Sequence, residues 1–96
     1  MKNTIERNYR TVSELSDTKS DNKIAQYIQM AELFQEEAIK IAKKDDSFFS
    51  EMAMKEVMSA CHKAKSGDCE YTVYINAHGA EVWLERMTMR LIELNS

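Results

Sequence analysis

The chain has 96 residues, 44% apolar and 30% charged, with a formal charge of −3 and a mean hydropathy of −0.52. That size supports one small domain, 1–96, around a single core. Two glycines and no proline exclude a sandwich or barrel, which needs turn residues about every 8–12 positions, so the expected fold is an all-α small helical bundle.

Residues 1–20 read as a polar N-terminal arm. Its apolar residues Ile5, Tyr9, Val12 and Leu15 fall at helical spacings and suit a short helix or a packed arm. Ser16 to Asp21 is a loop by composition, and Ser20 or Asp21 is placed to cap the next helix. That helix is expected over about 22–44, where Ile24, Tyr27, Ile28, Ala31, Phe34, Ala38, Ile41 and Ala42 recur at three and four. A second is expected over about 47–65, on a stripe of Phe49, Met52, Ala53, Val57, Ala60 and Ala64. The short connection at 45–47 makes the pair an antiparallel hairpin, and Gly67 suits a left-handed position after the second helix.

Residues 69–75 read two ways. Their β-branched and aromatic content favours a short strand, while Tyr71, Tyr74, Ile75 and His78 fit a helical face. The preferred reading opens an extra helix near Asp68 and interrupts it near Gly79. A final helix is expected over about 80–94, with Ala80, Trp83, Leu84, Met87, Leu91 and Leu94 inward.

The residues that could carry chemistry are poorly spaced for it. Structural zinc needs paired ligands about two to four positions apart, but Cys61 and His62 are adjacent, and Cys69 and His78 lie far apart. Adjacent helical residues do not face each other, so His62 cannot readily activate Cys61. Glu32, Glu36 and Glu37 resemble the start of the magnesium-binding set of helical nucleotide pyrophosphohydrolases. On the helical wheel they diverge from the apolar stripe, and Glu51 and Glu56 lack the paired spacing such enzymes use. No glycine-rich phosphate loop or nucleophile elbow is present. The expectation is a protein that is not an enzyme and uses no metal or other cofactor.

Misfit apolar residues point to binding instead. Leu33 turns away from the stripe of the first long helix, Met54 and Met58 (beside Cys61) from that of the second, and Val82 and Met89 from that of the last. A three-helix bundle asks each helix for one stripe, so these five residues are the candidate interface. A protein partner and a homo-oligomer, dimer or higher, are both expected. The net negative charge falls in residues 66–96, with two Lys/Arg against five Asp/Glu. It gives no basic footprint for duplex nucleic acid. No apolar run approaches the roughly 18 residues of a membrane span, and MKNTIERNYR lacks the apolar core of a secretory signal. A cytoplasmic protein without membrane contact is expected.

The leading functional reading is a protein that binds and blocks or bridges another macromolecule, in the manner of phage or mobile-element inhibitors of host defence, or of antitoxins. The alternative is a small-ligand module. Tyr9 could stack on a base while Arg10 and Lys23 neutralise phosphate. Ile5-Glu6, then Tyr9, then a helical hairpin over 22–65 resembles the phage sponge proteins that sequester cyclic-nucleotide signals. That resemblance implies nucleotide binding and leaves 66–96 without a counterpart.

Overall fold

The computed structural model describes residues 11–19 and 21–96. These fold into four helices: α1 (Val12–Ser16), α2 (Lys23–Lys44), α3 (Phe48–Lys65) and α4 (Glu70–Leu94). Among the described residues there is no strand. The all-α bundle and the hairpin of α2 and α3 are as the periodicity dictates. α4 lies along both, in contact with α2 and α3. Its 25 residues span about 37 Å at 1.5 Å per residue, nearly the molecule's 41 Å long axis. No helix is long and apolar enough to cross a membrane among the described residues.

Each helix begins where its sequence permits. Thr11 and Glu14 form a capping box on α1, each side chain accepting the other's backbone N–H at 3.0 Å. Ser47 Oγ accepts the Ser50 N–H at 3.1 Å and caps α3. For α2 the cap position is Asn22 rather than Ser20 or Asp21.

The core is the inner face of all four helices. α2 contributes Tyr27, Met30, Ala31, Phe34 and Ala38, and α3 contributes Ala53, Val57, Cys61 and Ala64. Cys61 therefore belongs to the core stripe, not to the outward set with Met54 and Met58. From α4 come Val73, Ala77, Ala80, Leu84 and Met87. This face sits slightly round the helix from the expected one. Trp83 falls on its flank, half-buried, with the Arg86 guanidinium 4.8 Å from its ring centre. Leu94 is exposed.

The preferred, helical reading of 69–75 holds, and two other expectations are corrected. Residues 69–75 are helical from Glu70 onward, because Val73, Ala77 and Ala80 continue the same inner face as Leu84 and Met87, and among the described residues no strand lies alongside to pair with. α4 also passes through Gly79 without interruption. A single glycine costs a helix about 1 kcal/mol, too little to break one held by packing on both sides of it. Finally, Gly67 is not in a left-handed conformation. It is needed for space, since a Cβ there would sit 2.9 Å from Val73 Cγ2.

The arm is integral to the fold where it is described. Val12 and Leu15 are fully buried. The Glu81 carboxylate of α4 accepts the Val12 N–H at 3.2 Å, and Lys23 Nζ donates to the Ser16 carbonyl at 2.8 Å. The two ends of a five-residue helix are thus satisfied by neighbours it could not supply itself.

Two substitutions test this arrangement. A methyl group added at Gly79 would meet nothing within 4 Å, so Gly79→Ala should stabilise the fold by about 0.5–1 kcal/mol in urea melts; a loss would mean the helix is broken there. Leu15→Ala should destabilise by about 2–5 kcal/mol, whereas an arm that merely rests on the surface would show no change.

Candidate functional site

The end of the bundle where α2 passes into α3 is built around one carboxylate. Asp45, almost fully buried, accepts the Ser47 N–H through Oδ1 at 3.1 Å and Arg90 Nε through Oδ2 at 3.0 Å. The same Arg90 N–H reaches Ser47 Oγ at 3.1 Å. Burial alone would raise the Asp45 pKa. The Ser47 backbone and hydroxyl, with the Arg90 charge, outweigh it and hold the carboxyl below its ordinary range. The turn and the last turns of α4 are thereby pinned together, 45 residues apart in sequence.

This pin presents a set of apolar side chains that the core does not use. At the start of α3 Phe48 is 81% exposed, and near the end of α4 Met89, Ile92 and Leu94 are 63%, 61% and 53% exposed. Between the two helices runs a shallow groove of about 340 Å³, lined by Phe49, Arg86, Met89, Arg90 and Glu93. A second cleft, of about 330 Å³, separates α2 from α4 and is lined by Phe34, Glu37, Glu81, Leu84, Glu85, Thr88 and Met89. Met89 borders both.

The five candidate interface residues do not share one environment. Met89 and Met58 are exposed; Leu33 and Val82 are half-buried. Met54 packs against the core and lines a cleft with Ala42, Asp45, Asp46, Ser47 and Glu51. Phe48 and Ile92 are not among the residues that sequence reasoning singles out, although a signal for them exists. In Phe48-Phe49 and Leu91-Ile92 two large apolar residues stand side by side, and neighbours about 100° apart on a helix cannot both face one core. Of the candidate nucleotide contacts, Tyr9 and Arg10 lie outside the described residues. Lys23 is engaged on the Ser16 carbonyl.

The chemistry-bearing residues stay apart. Both cysteines are free thiols. Burial pushes the Cys61 thiol up, while the Thr72 hydroxyl and the Thr72 and Tyr71 N–H groups lower that of exposed Cys69. His78 stacks on Tyr74, which in turn contacts Tyr27. Glu32 pairs with Lys65 and Glu51 with Lys55 at exposed positions. Among the described residues no three His, Cys, Asp or Glu side chains are placed to hold a metal ion. The chain matches no protein family, no curated protein and no solved structure.

Asp45 sets a pH dependence. A carboxyl whose folded pKa lies below its unfolded value adds stability above the unfolded value, near 3.8, and loses it as pH falls through the lower, folded one. Asp45→Asn should therefore melt below the parent at neutral pH. The gap should close as both are acidified below about pH 4. A gap independent of pH would show that the charge of Asp45 is not what holds the turn.

Proposed function

We propose that the protein acts by binding, and so blocking or bridging, another macromolecule, with the α3-start and α4-end of the bundle as its contact surface. The observation that supports this is the exposure of Phe48, Met89, Ile92 and Leu94 at the one end that Asp45 and Arg90 make rigid. Single exposed hydrophobes are ordinary on any protein. Four large ones at one end are a different matter, because each gains about 1.5–3 kcal/mol when fully buried, and a pre-ordered backbone loses little entropy on docking. A phage or mobile-element inhibitor is the narrowest form of this proposal and draws on the compact, motif-free composition alone.

The test is comparative. Immobilised parent chain and a Phe48→Asp, Leu94→Asp variant with an unchanged helical circular-dichroism spectrum are exposed to the same cell lysate. Proteins retained by the parent and lost by the variant are the expected result. If both retain the same set, this end of the molecule is not the contact surface.

A further inference from the structure

The outer stripe of α4 is complementary to itself. Arg86, Met89 and Glu93 follow one another at three and four, so they share one side of the helix, and all three line the groove beside Phe49. Arg86 and Glu93 are both exposed, and neither makes an ion pair among the described residues. They cannot neutralise each other, because seven residues of helix separate them by about 10 Å. A basic residue, an apolar centre and an acidic residue at near-equal steps form a pattern that an antiparallel copy of the same helix satisfies. We infer that the protein forms a symmetric dimer in which α4 packs antiparallel on α4 of a second copy, about a two-fold axis close to Met89.

In that arrangement each Arg86 lies level with Glu93 of the other copy, giving two equivalent ion pairs. The two Met89 side chains meet at the centre, each entering the groove walled by Phe49. Trp83 contributes by holding the Arg86 guanidinium against its ring. The hydrogen-bonding edge of the guanidinium stays available to a carboxylate, and less side-chain freedom is lost on pairing. A parallel pairing would set Arg86 against Arg86 and Glu93 against Glu93, so the charges select the antiparallel direction. The patch is small, which makes the association concentration-dependent rather than obligate.

Sedimentation velocity over a wide concentration range, with circular dichroism as the check on folding, decides the matter. The parent should pass from a monomer of 11.1 kDa to a dimer as concentration rises. Arg86→Glu alone, or Glu93→Arg alone, should weaken the dimer about tenfold or more, because each change replaces two attractions with two repulsions. The chain carrying both changes should recover to within about threefold of the parent, since the swap restores the pairing. A parent that stays monomeric throughout overturns the inference. So does a folded double variant that associates no better than the single ones. The Phe48→Asp, Leu94→Asp chain keeps Arg86, Met89 and Glu93 and should dimerise like the parent, so loss of self-association and loss of partner capture are read separately.

Discussion

A buried carboxylate at a turn has to be answered by donors, and Asp45 is answered from two directions at once. The Ser47 N–H fixes the turn that ends α2 and begins α3. Arg90 carries the constraint across to α4. Leaving such a group unpaired in the interior is costly, so the depth of the turn and the axial position of α4 cannot be chosen independently. The apolar faces of α2 and α3 hold α4 through non-directional packing of Tyr27, Met30, Phe34 and Val57, and the Asp45–Arg90 pair adds a directional contact that fixes its axial position. The pin sets the register, and with it which residues of α3 and α4 emerge side by side at that end.

The packing of α1 shows the same logic applied to a weaker element. α1 is too short to persist by itself, and it borrows its order from Glu81, Lys23 and the core that receives Val12 and Leu15. Glu81 is the polar exception on an otherwise apolar stretch of α4. Its burial is explained by what it binds, since a carboxylate at the start of a helix meets N–H groups with no partner of their own.

How much of this can be read from the residues depends on how local each cause is. The spacing of Tyr27, Ala31, Phe34 and Ala38 is a property of neighbours, and the hairpin follows from it. The first turns of α4 are ambiguous in sequence because Thr72, Val73 and Ile75 favour extended backbone intrinsically. The decision comes from burial of Val73 and Ala77 against α2 and α3, which no local window contains. Gly79 suggests a break because the helix-forming penalty is visible in sequence and the packing that overrides it is not. The pairing of Asp45 with Arg90 is longer-range still. From sequence, Asp45 shows only as a helix stop, and its role in joining three helices exists only in the folded arrangement. Phe48 and Ile92 escape notice for a different reason: beside Phe49 and Leu91, each looks like a second member of a core stripe that has room for one.

The direction of the chain has an electrical side as well. α2 and α4 run the same way, since Tyr27 near the start of one touches Tyr74 near the start of the other, while Arg90 near the end of α4 reaches the turn that follows α2. α3 alone runs against them. Backbone peptide dipoles add along each helix to about half an elementary charge at either end; with two helices parallel and one opposed, they leave an imbalance. The pole that displays Phe48 and Ile92 gathers the carbonyl ends of two helices against the amide end of one, and it carries a diffuse negative potential from the main chain itself. Lys43, Lys44 and Arg90 cluster at that pole. Arg90 is already engaged on Asp45, so Lys43 and Lys44, in the last turn of α2, are the cations placed to counter the main-chain field beside the apolar surface.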